Sequence, residues 1–157
     1  INARGANTLY QLFNGIFDEE KLRWNDGAPN FELIQRFYNE MKDNEELKPK
    51  TKATAIQIGK PSNIAKGLRA LDFTNGIVEE VTDKEMLDGM SVVGLNGFDC
   101  EMASGASVAG IKKLKDKGII KKDDKVIGIL TGRQKEPLLP IDYHNDPANK
   151  FARPPKI

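Results

Sequence analysis

The residues best placed to do chemistry are Thr131 and Gly132, which directly follow the unbroken apolar run Val126-Ile127-Gly128-Ile129-Leu130. Such a run suits a strand covered on both faces, as in a parallel sheet between helix layers, and ligands of open parallel sheets bind at the carboxyl ends of strands. A hydroxyl there can donate a hydrogen bond or accept one. Thr131 is therefore the candidate ligand contact. The competing reading is that a threonine before glycine merely starts a turn.

Other reactive residue types carry less. Cys100 is the only cysteine and stands between Asp99 and Glu101, whose charges oppose thiolate formation, so it reads as structural. His144 is the only histidine and lies among Tyr143, Asn145 and Asp146 with no recognisable second ligand or nucleophile, which makes it a surface or tail contact. Gly105 and Gly110 have the glycine spacing of a phosphate-binding loop, but Ile111 stands where that motif needs its lysine. The lysines from Lys112 to Lys125 are interrupted by Asp116, Asp123 and Asp124, which suits a solvated face better than a nucleic-acid patch. No metal site is assigned.

The elements that must position Thr131 follow from periodicity. Leu9, Leu12, Phe13 and Phe17 share a helical face, and Leu33, Ile34, Phe37, Tyr38 and Met41 share another beyond a turn at residues 25–30. Residues 53–58 read as a strand, with Ser62 as cap of a helix that buries Ile64, Leu68 and Leu71. Residues 76–81 read as a second strand, and Thr82-Asp83-Lys84-Glu85 is a capping box ahead of a helix burying Met86, Leu87, Met90 and Val93. Residues 104–117 form a third helix of this half, rich in small residues at its start and closed by Gly118. Strand and helix alternate, so the expected class is α/β, an open parallel sheet flanked by helices. The segment from Glu136 holds Pro137, Pro140, Pro147, Pro154 and Pro155 and reads as an extended tail.

Composition sets outer bounds. Lys and Arg number 24 against 23 Asp and Glu, so a net charge of +1 provides no broad field for nucleic acid or anionic membrane. No apolar run reaches the ~18 residues of a membrane span. A single cysteine permits no internal disulfide and points to a reducing cytoplasm.

Three segments together carry a family resemblance: Ala53-Thr54-Ala55-Ile56-Gln57-Ile58-Gly59-Lys60-Pro61, Cys100-Glu101-Met102-Ala103-Ser104-Gly105-Ala106-Ser107-Val108-Ala109-Gly110, and Leu130-Thr131-Gly132-Arg133-Gln134-Lys135-Glu136-Pro137. In this order they resemble the C-terminal part of threonine synthase, a fold type II pyridoxal-phosphate enzyme. The opening Asn2-Ala3-Arg4-Gly5-Ala6 resembles the family segment after its cofactor phosphate loop. The resemblance implies conversion of O-phospho-L-homoserine and water to L-threonine and phosphate, within threonine biosynthesis. It also implies pyridoxal 5'-phosphate as cofactor and Thr131 as the hydroxyl that meets its pyridine nitrogen. Glu101 matches a family glutamate ahead of a helix, with lining the cofactor pocket and positioning the helix as equal alternatives. Departures from the family pattern fall at Lys60, Met102 and Arg133, where Asn or Asp, Pro, and His are usual.

The resemblance further implies residues 1–137 as the C-terminal part of the catalytic domain, with a helical insertion at 17–48 and a Pro-rich tail at 138–157. The family's Schiff-base lysine, its glycine-rich phosphate loop and most substrate-phosphate contacts lie N-terminal to the matching segments. No catalytic residue is therefore assigned in this chain, and the expected partners are O-phospho-L-homoserine and an N-terminal half of the enzyme. A fragment inactive by itself is the expectation. Alternatives are a sister enzyme of the same fold, such as threonine dehydratase or a sulfur-transferring synthase, and a noncatalytic truncated binding module.

Overall fold

The computed structural model describes residues 1–16, 24–25 and 28–133. Two apolar clusters organise it. In the first, β1 (Asn2–Ala3) leads into α1 (Thr8–Gln11), which widens into a π turn over Leu12–Ile16. Leu12 and Phe13 are buried, as their helical spacing requires, while Phe17 lies outside the described residues. Strands β2 (Trp24–Asn25) and β3 (Ala28–Pro29) pair antiparallel, Trp24 opposite Pro29 and Asn25 opposite Ala28, where the sequence led to a turn being expected. Helix α2 (Phe31–Asp43) starts where the Asn30 side chain accepts a hydrogen bond from the Leu33 amide at 3.2 Å. Its Leu33, Ile34, Phe37 and Met41 are buried together with Leu12 and Phe13. Helix α3 (Ile64–Phe73) closes this cluster with Ile64 and Leu68. Its cap position is Asn63 rather than the expected Ser62, and Asn63 makes no side-chain capping bond.

The second cluster holds the candidate site. Strand β4 (Glu80–Val81) pairs in parallel with β1, Asn2 opposite Glu80 and Ala3 opposite Val81. Parallel neighbours need a crossover, and here it contains helices α1 to α3, which makes the class α/β with a small parallel sheet flanked by helices. Helix α4 (Asp83–Leu95) opens on the expected capping box: the Glu85 amide donates to Thr82 Oγ1 at 3.2 Å and the Thr82 amide donates to Glu85 Oε2 at 2.7 Å. Helix α5 (Met102–Asp116) follows, and Gly118 beyond it takes φ +71°, the left-handed conformation that suits glycine.

Helices α4 and α5 approach through glycine. A Cβ on Gly89 would sit 2.4 Å from the Gly105 carbonyl oxygen, and one on Gly105 would sit 2.3 Å from that of Met86. Gly110 is likewise covered by the Ile1 side chain. The spacing that imitates a phosphate loop is thus a packing device.

Two expected strands are not strands. Residues 53–58 contain a 3-10 turn, Thr54–Ile56, because their amides are used locally: Ile56 donates to the Ala53 carbonyl and Gln57 to that of Thr54. The segment is pinned at both ends, Asp83 Oδ2 accepting from the Lys52 amide at 2.9 Å and Thr8 Oγ1 donating to the Gly59 carbonyl at 2.7 Å. Residues 76–81 are reduced to Glu80–Val81, where β1 supplies a partner. Residues 126–130 form no strand and pair with none of the described residues: Ile127 is 90% and Ile129 68% exposed, against the expectation of a strand buried on both faces. Among the described residues no strand lies beside them to complete a ladder.

Candidate functional site

Residues 128–132 run along α5 in the opposite direction to it. A Cβ on Gly128 would meet the Ile111 side chain at 2.9 Å, whereas one on Gly132 would meet the Glu101 carboxylate at 2.3 Å. Ten helical residues advance about 15 Å, and four extended residues about 13 Å, so a nearly straight segment matches the helix over this stretch. Its end, Thr131-Gly132, therefore arrives at the first turn of α5. The sequence expected Thr131 at the end of a sheet strand; the structure puts it at the end of an extended run guided by a helix.

Three bonds fasten that end. The Glu101 amide donates to the Gly132 carbonyl at 3.0 Å, the Gly132 amide donates to Ser104 Oγ at 3.0 Å, and Ser104 Oγ lies 3.2 Å from the Gly132 carbonyl oxygen. Ser104 Oγ also lies 3.3 Å from Thr131 Oγ1. Ser104 is buried at 1% exposure, while Thr131 is exposed. Thr131 thus has one hydroxyl neighbour behind it and an open side in front. Sequence reasoning named Thr131 and passed over Ser104, which nothing in the sequence distinguishes from Ser107 at the start of α5.

Glu101 is the residue preceding α5, and its carboxylate makes no capping bond to the helix. Its amide donates to the Gly132 carbonyl and its carboxylate lies beside Gly132, so Glu101 holds that end of the chain rather than capping the helix through its side chain. Cys100 is buried at 2% exposure; burial pushes its thiol up, and Asp99 and Glu101 push it further. It is a structural cysteine, as its neighbours in sequence suggest. Arg133 pairs with Asp99 at 3.7 Å on the surface, a contact of little energetic weight. His144 and residues 134–157 lie outside the described residues.

The lysine run is sorted by the fold. Lys112 pairs with Asp116 at 2.5 Å on the solvent side. Lys113 and Lys117 turn the other way to Glu79, a carboxylate on the chain entering β4. Burial alone would push the Glu79 carboxyl up, but hydrogen bonds from Lys117, the Glu80 amide and Lys113 hold it below the usual range. Lys113 also donates to the Glu80 carbonyl at 2.6 Å, so α5 is tied to β4 by charge as well as packing. Asp116 and Glu79 hold Lys112 and Lys117 above the usual amine range. A reactive neutral amine needs the opposite shift.

With this geometry in view, comparison with known proteins is informative. A family profile described as "Pyridoxal-phosphate dependent enzyme" matches residues 27–132, which include α2 to α5 and end at Gly132. The chain belongs to the pyridoxal-phosphate dependent enzyme family. Within that family it is similar to threonine synthases: 44% identical over 104 residues to that of Methanosarcina acetivorans, covering 65% of this chain and 26% of the relative. The threonine synthase of Methanocaldococcus jannaschii is 39% identical over 102 residues, covering 64% and 25%. The protein named threonine synthase 2, chloroplastic, of Arabidopsis thaliana is 30% identical over 158 residues, covering 98% of this chain and 26% of the relative. The chain spans about a quarter of the length of the curated relatives it matches. No helix among the described residues is long and apolar enough to cross a membrane.

Proposed function

We propose that this chain forms the ring-contact part of a threonine synthase catalytic domain, which converts O-phospho-L-homoserine and water to L-threonine and phosphate. The observation that carries the reading is Thr131: an exposed hydroxyl, fastened from behind at the start of α5, in a chain similar to threonine synthases. On this reading residues 1–137 belong to the catalytic domain, with 17–48 as a helical insertion and 138–157 as an extended tail, in a cytoplasmic enzyme.

The donor set fits the ring of pyridoxal phosphate. A hydroxyl with one protein neighbour at 3.3 Å keeps hydrogen-bonding capacity for a pyridine nitrogen on its open side. When bound, the cofactor supplies an electron sink for the charge left by proton removal. Thr131 would orient the ring and moderate that sink, because a hydroxyl holds the ring nitrogen protonated less firmly than a carboxylate does. Gly132 would keep the backbone close to Glu101, and the α4–α5 pair would keep the whole end rigid. We place the Schiff-base lysine outside these residues, in the remainder of the enzyme.

The test is substrate choice. In the loaded enzyme that carries this segment, phosphate release from O-phospho-L-homoserine is expected, with L-threonine as product. Turnover of L-threonine itself, or of an activated serine, with phosphohomoserine left untouched, would replace the reading with one of the sister chemistries.

A further inference from the structure

We propose that Ser104 is a positioning residue for Thr131: its buried hydroxyl clasps the Thr131-Gly132 end onto α5 and orients the Thr131 hydroxyl toward an aromatic ring nitrogen. The inference rests on the reading of Thr131 as the cofactor contact and adds a residue to that site.

A serine inside a helix ordinarily points to solvent or bonds back to its own helix. Ser104 does neither, being 1% exposed with its hydroxyl directed at Gly132 and Thr131 across the gap. The Gly132 amide must donate, so it occupies one lone pair of Ser104 Oγ at 3.0 Å. That leaves Ser104 one proton to give and one lone pair to offer. Two arrangements satisfy the same heavy atoms. In one, Ser104 donates to Thr131 Oγ1 at 3.3 Å, and the Thr131 proton faces outward, which suits an unprotonated ring nitrogen. In the other, Ser104 donates to the Gly132 carbonyl at 3.2 Å and accepts the Thr131 proton, so that Thr131 faces outward with lone pairs, which suits a protonated nitrogen. The Gly132 carbonyl does not depend on Ser104, because it already accepts from the Glu101 amide at 3.0 Å. Ser104 therefore fixes where the Thr131 oxygen sits and lets its polarity follow the ligand.

Alanine at 104 removes this hydroxyl without adding bulk and without harm to helix propensity. The test uses the complete enzyme that carries this segment, freed of cofactor and labelled for nuclear magnetic resonance, as wild type, Ser104→Ala and Thr131→Val, with pyridoxal phosphate added as the probe. In Ser104→Ala, exchange of the Gly132 amide should rise about tenfold, the loss of one hydrogen bond, while amides of Met90 and Ala109 keep their protection. Thr131→Val should leave Gly132 exchange near wild type. The Thr131 methyl shift on adding pyridoxal phosphate should be seen in wild type and lost or weakened about tenfold in Ser104→Ala. Unchanged Gly132 exchange in Ser104→Ala, or an equal rise at Met90 and Ala109, would overturn the positioning role and reduce Ser104 to a packing residue. A wild-type Thr131 methyl indifferent to pyridoxal phosphate, with Gly132 exchange still raised by Ser104→Ala, would instead overturn the cofactor-contact reading and take the inference with it.

Discussion

At the scale of single residues, the sequence pointed to chemistry more readily than to what holds it. Thr131 stands out in the sequence as a hydroxyl after an apolar run, and its contact with a ligand is the role proposed for it. Glu79 was not, since nothing in Gly76-Ile77-Val78-Glu79-Glu80-Val81 says that its first glutamate is buried at 5% exposure between two lysines from a helix 34 and 38 residues later. Its role gives a definite expectation. Glu79→Gln should lower stability by about 1–2 kcal/mol, the loss of charged hydrogen bonds whose lysine partners reach water, as read from denaturant unfolding. A shift in midpoint smaller than the fitting error would mean that Lys113 and Lys117 contribute nothing through this carboxylate. The Thr82 cap is the converse case, being visible in Thr82-Asp83-Lys84-Glu85 and present in the fold. Thr82→Ala should cost about 1 kcal/mol.

Helices were legible as elements, and strands mostly were not. A helix satisfies its own backbone, so the spacing of Leu33, Ile34, Phe37 and Met41 was enough to foretell α2. A strand needs a neighbour, and Val126 to Leu130 carries the residue types of a buried strand without one among the described residues. Likewise Ala53 to Ile58 spends its amides on a 3-10 turn. The small residues at the start of α5 were legible in the sequence, although not the helix they let approach. Gly105→Ala forces a Cβ to within 2.3 Å of the Met86 carbonyl oxygen, a backbone atom with little freedom to yield. The variant should lose about 1–3 kcal/mol by overpacking and should loosen the Thr131-Gly132 end, since α5 carries it. Thermal unfolding and Gly132 amide exchange measured together test both halves of that expectation.

At the scale of the whole molecule, two carboxylates among the described residues link folding to pH. Glu79 and Glu85 are both held below the usual range, Glu85 chiefly by the Thr82 amide. A depressed carboxylate contributes stability above its unfolded value of about 4.3, and the contribution is lost as pH falls through the folded value. The chain should therefore lose stability on acidification below about pH 4.3, and Glu79→Gln should flatten part of that loss. The proposed threonine synthase reading also bears on the chain as a unit, which spans about a quarter of its relatives. Mixed by itself with pyridoxal phosphate, it should retain no visible-range absorbance after gel filtration, because the lysine that anchors the cofactor is placed elsewhere. The most direct measurement of the central claim is phosphate release from O-phospho-L-homoserine by the loaded enzyme carrying this segment, compared with its Thr131→Val variant. The account predicts kcat/KM lower by roughly 5- to 150-fold, from about 1–3 kcal/mol of lost hydrogen bonding and orientation. Equal kcat/KM in the two enzymes would contradict it.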